Sequence, residues 1–205
     1  MEQTKQYEYV DLGLPSGLKW AKCNVGAEKE TDYGSYFQWG DIEDKSNSDC
    51  GWKSYKYCNG TYNALTKYCT NSPFGTEDNK ITLDTEDDIA AQIMGGDWRM
   101  PTKDDFQELL DNTNSEWIEN YNNSGVNGNK FTSKTDTSKY IFIPASGDRA
   151  GSSFRYQGYR GSIWSSSLLA ANSYYAYVLY FYSERIFASY YDYRCYGFVV
   201  RGVMD

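Results

Sequence analysis

Residues 175–182, Tyr-Ala-Tyr-Val-Leu-Tyr-Phe-Tyr, form the clearest strand pattern of the chain. Side chains of a β-strand alternate between its two faces. The alternation defines two sets: Tyr177, Leu179 and Phe181 on one face, and Val178, Tyr180 and Tyr182 on the other. Either such a strand is buried on both sides, or one face is left open for a partner. We expect the Tyr177 set in the core and the Val178 set exposed to a ligand, because a dense aromatic patch without a partner favours aggregation.

The region around this strand, residues 151–205, is rich in tyrosine. It holds 11 of the 21 tyrosines and no lysine, although lysine is common up to Lys139. Tyrosine presents a large, rigid, amphipathic ring at a low cost in rotamer entropy, while serine and glycine supply adaptable hydrogen bonds. This composition is typical of antibody binding loops. It predicts that residues 151–205 form a ligand-binding region.

Length and charge limit the classes of partner. At 205 residues the chain can bury one good core, and we expect a single domain over residues 1–205. The net charge is −8, whereas from Tyr140 onward six arginines face four acidic residues. A nucleic-acid partner requires a basic face, so we expect none. Proteins, glycans and small molecules remain.

No segment is typical of membrane insertion or of a metal centre. No apolar run approaches the length of a transmembrane helix, and the polar segment Met1–Tyr9 does not resemble a signal peptide. Five cysteines without any histidine match no zinc site. Cys58 and Cys69 could pair across a short loop, or all five thiols could be free in a reducing compartment. We expect neither a metal nor a cofactor.

One acidic segment has the residue types of a calcium site. It contains Asp41, Glu43, Asp44 and Asp49. These residues lack the regular spacing of oxygen ligands in calcium loops, so a solvated acidic loop is the better prediction. Aromatic residues at positions 52, 55 and 57 predict that residues 41–62 form a long loop held in place by its rings.

The remaining pattern predicts a mixed α+β fold with two helices. The first is capped by Thr85, has acidic residues in its opening turn and ends at Gly95. The second opens at Pro101–Thr102, and Phe106, Leu109 and Leu110 form its apolar stripe. The segment between them, Trp98–Met100, is predicted as a compact connection.

Short strands are predicted in both halves of the chain from their aromatic and branched residues. They are Tyr9–Leu12, Leu18–Ala21, Tyr33–Trp39, Tyr140–Pro144 and Gly197–Val203. We expect the fourth to be central in its sheet and the last to pair near the N-terminus. Residues 120–139 are predicted to be loose.

Nine motifs run in order through the whole chain. They are Val10-Asp-Leu-Gly-Leu-Pro-Ser-Gly-Leu-Lys-Trp-Ala, Asn24-Val-Gly-Ala, Asp32-Tyr-Gly-Ser-Tyr-Phe-Gln-Trp-Gly, Leu65-Thr-Lys-Tyr, Gly95-Gly-Asp-Trp-Arg-Met-Pro-Thr, Ile141-Phe-Ile-Pro-Ala, Trp164-Ser-Ser-Ser, Ala176-Tyr and Gly197-Phe-Val-Val-Arg201. Together they resemble the Fibrobacter-type major paralogous domain. The resemblance implies a C-type lectin-like fold related to the formylglycine-generating enzymes. Such a fold has two helices beside small, twisted, mostly antiparallel sheets, long loops and termini that lie close together.

Many members of that family are the variable proteins of diversity-generating retroelements, which rewrite adenines in a C-terminal repeat. On this resemblance the scaffold positions are Gly161, Trp164, Ser165, Ser166, Ser167, Ala176, Leu179, Phe181, Arg194, Gly197, Val200 and Arg201. The predicted variable, ligand-binding positions are Tyr156, Tyr159, Arg160, Ser162, Tyr174, Tyr175, Val178, Tyr180, Tyr182, Tyr190, Tyr191, Tyr193, Cys195 and Tyr196. An asparagine codon randomised at its adenines reaches all the residue types found there.

Other residues of the tail receive structural roles. Arg194 and Arg201 are expected to pair with carboxylates or carbonyls below the site, whereas Arg155 and Arg160 are better placed to contact a ligand. Trp164 is predicted as a core anchor. The three serines after it are expected to form a platform rather than to hold a nucleophile, because the chain has no histidine to act as base.

The expected function is therefore binding without catalysis, through a diversified surface that recognises a protein or glycan on a target cell. Such a protein would be extracellular, on a bacterial surface or a phage tail fibre, and fused to or assembled on a display platform. One alternative is an invariant surface lectin or adhesin that stacks tyrosines on polysaccharide. A more distant one is an oxidase like the formylglycine generators, which depend on a reactive cysteine pair, and Cys195 has no partner nearby in sequence.

Overall fold

Residues 6–205 are described in a computed structural model of the chain; residues 1–5, part of the polar segment Met1–Tyr9, lie outside the described residues. The described chain is mixed α+β, mostly strands, with two α-helices. The elements in order are β1 (Tyr9–Asp11), β2 (Lys19–Ala21), α1 (Ile89–Met94), β3 (Trp98–Arg99), α2 (Lys103–Asn112), β4 (Thr113–Ile118), β5 (Gly128–Ser133), β6 (Tyr140–Pro144), β7 (Asp148–Ala150), β8 (Ser153–Arg155), β9 (Arg160–Leu168), β10 (Tyr175–Tyr182), β11 (Arg185–Tyr193) and β12 (Val203–Met204).

The strands form small antiparallel sheets. Their orders are β1-β2-β12-β3, β11-β10-β9, β4-β5-β6 and the hairpin β7-β8. In the first sheet Val203 pairs with Trp20 on one side and with Arg99 on the other. The end of the chain therefore pairs near its beginning, as predicted, although only Val203–Met204 of the predicted segment is a strand.

Strand β10 separates two hydrophobic clusters. Val178 packs into a cluster with Trp39, Trp164 and Phe198, whereas the next residue, Leu179, packs into a second cluster with Phe106 on α2. Consecutive residues of a strand point to opposite faces, so burial of both means that β10 is covered on both sides at this point. Of the two arrangements considered from sequence, burial on both sides applies at the middle of β10.

Helix α2 follows directly from local sequence. The Thr102 hydroxyl accepts from the Asp105 backbone N–H, and the Asp105 carboxylate accepts from the Thr102 N–H, which completes a capping box. Phe106 and Leu109 are fully buried on its inner face. The predicted start and apolar stripe are confirmed.

Helix α1 is shorter than predicted. It begins at Ile89, with Asp88 rather than Thr85 as its N-cap. The preceding residue, Asp87, turns inward and accepts hydrogen bonds from Tyr57, Tyr68 and two lysines. Burial by itself would raise the pKa of Asp87, but these donors lower it to about 2. Residues Thr85–Asp87 form a short 3-10 turn, and the extended backbone of Asp88 separates it from α1.

Four predictions about where strands occur, or about their place in a sheet, differ from the structure. Residues 33–39 contribute only one bridge, between Phe37 and Phe198, and Trp98–Arg99 is a strand instead of a connection. The predicted loose segment contains β5, which is the central strand of its sheet, while Tyr140–Pro144 lies at the edge. These elements depend on pairing with distant segments, which local periodicity does not contain.

The long loop over residues 41–62 carries no regular strand or helix, as predicted, and its rings hold it in place. Tyr55 and Tyr57 are buried, and Trp52 packs against the same cluster. The prediction of a solvated acidic loop is wrong at Asp41, which is 6% exposed and forms an ion pair with the buried Lys45 at 3.2 Å. Pairing compensates the cost of burying this carboxylate.

Candidate functional site

Exposed tyrosines cluster on β10, β11 and the loops that flank them. All ten tyrosines among the sequence-predicted site residues are exposed or half-buried. The most exposed are Tyr159 and Tyr156, at 77% and 54%. We call the following residues the aromatic surface: Tyr156, Tyr159, Tyr174, Tyr175, Tyr180, Tyr182, Phe187, Tyr190, Tyr191, Tyr193 and Tyr196.

Strand register brings these rings together. Tyr175 lies opposite Tyr193 and Val178 opposite Tyr190, and after an irregularity in the pairing Tyr180 lies opposite Phe187. A bulge of this kind leaves an extra residue in one strand and increases its local twist. The shift brings Tyr180 and Tyr190 close, with ring centroids 4.6 Å apart.

The ring contacts continue from strand to strand. Adjacent centroids are separated by 6.1 Å for Tyr190–Tyr191, 5.1 Å for Tyr191–Tyr175, 4.8 Å for Tyr175–Tyr193 and 5.5 Å for Tyr193–Tyr196. These separations lie within the range of favourable aromatic pairs. The rings therefore form one connected layer across the sheet.

Two arginines connect the ends of this layer, and we call the resulting closed series of contacts the ring circuit. The Arg155 guanidinium lies 4.9 Å from the Tyr196 ring and 6.0 Å from the Tyr156 ring. The Arg160 guanidinium lies 4.0 Å from Tyr156 and 5.6 Å from Tyr180. Such cation–π contacts orient both partners.

A buried carboxylate fixes both arginines from below. Asp148 is completely buried; its Oδ2 accepts two hydrogen bonds from Arg155, and its Oδ1 accepts one from Arg160. Both arginines are predicted from sequence as ligand contacts. The structure places them at the surface with one edge already bound to Asp148, so they are oriented before any ligand arrives.

Asp192 lies within the circuit, although it is not among the site residues predicted from sequence. It sits on β11 opposite Ala176, and its carboxylate acts electrostatically on Tyr175, Tyr190 and Tyr196. Burial raises the pKa of Asp192, and a hydrogen bond from the Tyr193 backbone N–H offsets part of this effect. The surface thus offers an acidic group among its rings, and only the fold places it there.

Loop aromatics extend the surface beyond the predicted residues. Tyr174 lies 4.9 Å from Phe74 and 5.6 Å from Tyr62, and Tyr193 lies 6.1 Å from Trp52. From sequence, the rings of the loop over residues 41–62 are predicted only to hold that loop in place. Trp52 and Tyr62 also border the aromatic surface, because the loop folds against Tyr174 and Tyr193.

Three predicted contact residues are buried instead. Ser162 is 2% exposed, Val178 1% and Cys195 2%. The prediction that Val178 is exposed is wrong, because its face of β10 packs on Trp164 before it reaches solvent. Cys195 lies in the same cluster, and burial raises the pKa of its thiol. These three support the surface from inside.

The buried frame below the surface is held by its own hydrogen bonds. The Trp164 indole N–H donates to the Phe37 carbonyl at 2.7 Å, and the Ser165 hydroxyl donates to the Tyr177 carbonyl at 2.8 Å. Arg194 and Arg201 are completely buried and donate mainly to backbone carbonyls. Of the two kinds of partner expected for these arginines, the structure shows carbonyls.

Among the described residues, one trio of carboxylates lies close enough to hold a cation: Asp84, Glu86 and Asp87. The Lys67 ammonium contacts all three, at 2.7, 3.4 and 2.6 Å. A lysine therefore supplies the positive charge there. All five cysteines are free thiols, so the Cys58–Cys69 disulfide considered from sequence is not formed.

The backbone at Tyr156 allows a direct test of whether this surface position tolerates substitution. Its φ is +59°, a left-handed conformation that asparagine adopts more readily than tyrosine. Tyr156→Asn would remove about 1 kcal/mol of strain and the cation–π contacts with Arg155 and Arg160, of which the closer, at 4.0 Å, contributes about 0.5–1 kcal/mol. We therefore expect the free energy of unfolding to change by less than about 0.5 kcal/mol in urea denaturation.

Tyr68 provides the matched control for this test. It also has a positive φ, +57°, but it is completely buried and its hydroxyl donates to Asp87. Tyr68→Asn is expected to cost about 3 kcal/mol or more. Equal losses in the two variants would show that Tyr156 is part of the folded core.

Comparison of the chain with protein-family models, curated proteins and solved structures found no match. None of the helices within residues 6–205 has the length and apolar character needed to cross a bilayer. The fold and the site described above are those of an α+β protein with an exposed aromatic surface on a three-stranded sheet.

Proposed function

We propose that this chain is a non-enzymatic ligand-binding protein with a C-type lectin-like fold, whose aromatic surface is diversified between related copies. The motifs that resemble the Fibrobacter-type major paralogous domain lead to this proposal. Two helices, small antiparallel sheets and a last strand paired between β2 and β3 are compatible with that fold. The ligand is a protein or glycan on a target cell, recognised by a chain displayed on a bacterial surface or phage tail fibre.

The observation that carries the proposal is the closed circuit of accessible rings over a separately stabilised frame. The rings lie at the solvent boundary, whereas Trp164, Arg194 and Phe198 hold the frame from completely buried positions. Side chains on such a surface can be exchanged at little cost to folding, since most large losses come from core changes. Diversification requires this separation.

Binding free energy would come mainly from a few tyrosines that lose water on contact. Tyrosine, tryptophan and arginine dominate measured interface hot spots, and each ring buries a large area at low entropic cost. Arg155, Arg160 and Asp192 would supply polar specificity, because their charges are oriented within the ring layer. The backbone of Tyr156 also supports diversification, since its conformation suits the asparagine that the rewriting mechanism starts from.

The proposal is tested by sequencing sibling genes and their flanking DNA from closely related strains. We expect amino-acid differences to concentrate on the aromatic surface and an adenine-rich copy of the last quarter to lie beside a reverse-transcriptase gene. The buried positions 162, 178 and 195 should vary only among small residues, since larger ones would not fit. Differences spread evenly along the chain, or an invariant set of surface tyrosines, would favour the invariant lectin or adhesin instead.

A further inference from the structure

Strand β11 lies at the edge of the sheet that carries the aromatic surface. It is nine residues long and pairs with β10 on one side. Within residues 6–205, the main chain of residues 185–192 makes no main-chain hydrogen bond to any segment other than β10. The opposite edge strand, β9, is covered instead, because the Trp164 and Leu168 N–H groups donate to the carbonyls of Val199 and Ile81 at 3.1 and 2.8 Å. β11 is therefore the open edge of this sheet.

The main chain of Tyr191 faces outward from this edge. In an antiparallel pair, hydrogen-bonded and non-hydrogen-bonded residues alternate along each strand. The Arg194 N–H donates toward β10, to the Tyr174 carbonyl at 3.1 Å. In this register Tyr193 and Tyr191 direct their N–H and C=O groups away from β10. The Tyr193 N–H donates to the Asp192 carboxylate at 2.8 Å, whereas the main-chain groups of Tyr191 have no partner among the described residues.

β11 lacks the usual protection of an exposed edge. Natural proteins block such edges with lysine, proline, very short strands or a covering segment. Residues 185–193 contain neither lysine nor proline, and Phe187, Tyr190 and Tyr191 are 37%, 44% and 47% exposed. The irregularity opposite Leu179 twists the strand but leaves its outer main-chain groups open. We call residues 187–192 the β11 edge; a strand edge of this kind is a template for another extended chain.

Asp192 adds a charge preference at one end of the β11 edge. Its half-buried carboxylate accepts a hydrogen bond from the Tyr193 N–H, and it forms no ion pair in the part of the chain that the structure describes. Arg155 and Arg160 act on it electrostatically, but both guanidiniums are bound to Asp148 instead. A lysine or arginine brought by a partner would supply the missing cation through a charge-assisted hydrogen bond.

We propose that the β11 edge binds an extended segment of the target protein as a fourth, antiparallel strand, with a lysine or arginine near its N-terminal end beside Asp192. Antiparallel pairing is the more stable arrangement per residue, and it continues the pattern of this sheet. A glycan lacks the repeating N–H and C=O groups that pair with a strand edge. The inference rests on the proposed function, because it selects a protein over a glycan as the target of the same surface.

Strand addition suits a surface whose side chains are exchanged. Main-chain hydrogen bonds supply affinity in this mode of binding, and side chains supply specificity. The main-chain groups of β11 stay the same when a ring is replaced, whereas Tyr190 and Tyr191 contact the side chains of the added strand. Diversified copies would therefore keep one way of docking and change the sequences that they select.

The test is a titration of the ¹⁵N-labelled protein with the peptide acetyl-Lys-Thr-Val-Thr-Val-Thr-amide, followed by hydrogen exchange of backbone amides. At saturating peptide the Tyr191 N–H should exchange at least about tenfold more slowly, because it gains a main-chain acceptor. The Arg194 N–H already donates to Tyr174 and should keep its rate. The absence of any slowing at Tyr191 would overturn the proposal. Slowing that grows with protein concentration without peptide would also overturn it, since a second copy would then occupy the edge.

Two altered peptides separate main-chain pairing from charge. N-methyl groups on the two central residues remove a donor from each edge of the peptide, so affinity should fall at least about tenfold. Glutamate in place of the lysine would lie beside Asp192 and should weaken binding at least about threefold. Undiminished affinity of the methylated peptide would exclude strand addition, and undiminished affinity of the glutamate peptide would exclude Asp192 as the charged partner.

Two variants of Tyr191 provide the matched control in the protein. Tyr191→Pro removes the outward N–H and leaves the donors to β10, whereas Tyr191→Ala removes only the ring. Tyr191→Pro should bind the peptide at least about tenfold more weakly than Tyr191→Ala, with the Arg194 amide still protected in both as evidence of an intact sheet. Equal affinities would contradict main-chain pairing at this edge. The altered peptides give the same decision on the unaltered chain.

Failure of this inference and failure of the proposed function give different results. Sibling genes that vary on the aromatic surface, together with no slowing at Tyr191, would remove strand addition alone. Slowing at Tyr191 together with invariant sibling genes would keep strand addition and remove the diversified surface.

Discussion

Replacement of Arg194 by alanine is expected to lower the free energy of unfolding by about 3–5 kcal/mol, the range for breaking a buried, fully hydrogen-bonded charged group. Arg194 is completely buried and donates to the carbonyls of Lys67, Tyr68 and Ser173 at 2.8–3.0 Å. Its removal leaves these acceptors unpaired and opens a cavity beside Trp39, whose ring lies 4.8 Å from the guanidinium. Thermal unfolding should shift down by about 10 °C for a chain of this size.

Arg185→Ala is the matched control for this prediction. Arg185 begins β11, the strand that Arg194 directly follows, but it is exposed and forms no ion pair among residues 6–205. Its replacement should change the free energy of unfolding by less than about 0.5 kcal/mol. A loss below about 1 kcal/mol in Arg194→Ala would mean that water can replace the guanidinium, and that the loop around Tyr68 is not anchored through this residue.

Replacement of Gly161 by valine is expected to cost about 3 kcal/mol or more, because overpacking of a rigid site typically costs 1–3 kcal/mol and a valine adds three carbons here. Gly161 on β9 lies directly opposite Phe181 on β10. A Cβ at this position would lie 2.1 Å from the Phe181 ring, which is itself completely buried. Chemical denaturation should therefore show a lower midpoint, and the displaced ring should disturb the neighbouring Tyr180.

Gly51→Ala separates this steric effect from the loss of a glycine. Nothing lies closer than 3.7 Å to the Cβ that alanine would add there, and the backbone of Gly51 does not have a positive φ. We expect no loss of stability for Gly51→Ala. Truncation of Phe181 to leucine in the Gly161→Val background should recover part of the loss, as residues in contact do not behave additively. Additive losses would contradict the predicted clash.

Two predictions that rest on short sequence segments agree with the structure. The capping box at Thr102 fixes the start of α2, and the alternation along β10 correctly puts Leu179 and Phe181 on one face. Tyr177, expected in the core with them, is half-buried at its rim, where its ring lies 5.4 Å from the Lys103 ammonium. Local patterns identify the face of a side chain but not how deeply the face is covered.

The candidate site shows the same limit. The family resemblance selected the individual tyrosines, whereas composition identified only the tyrosine-rich, lysine-free segment that contains them. It could not distinguish Tyr180 from the buried Val178, since exposure on one face depends on which distant segments cover each end of the strand. Asp192 was missed for the same reason, as its role depends on the arginines across the sheet.

What the amino-acid sequence determined by itself was the existence of β10 and α2, the α+β class and the tyrosine-rich composition of residues 151–205. Each of these depends on residues near one another in the chain, through side-chain alternation, capping or composition. The tertiary structure alone decided the short α1, the central position of β5, the burial of Ser162, Val178 and Cys195, and the placement of Asp192 within the ring circuit. These features arise from contacts between residues distant in sequence, which sum over the whole fold and leave no local pattern.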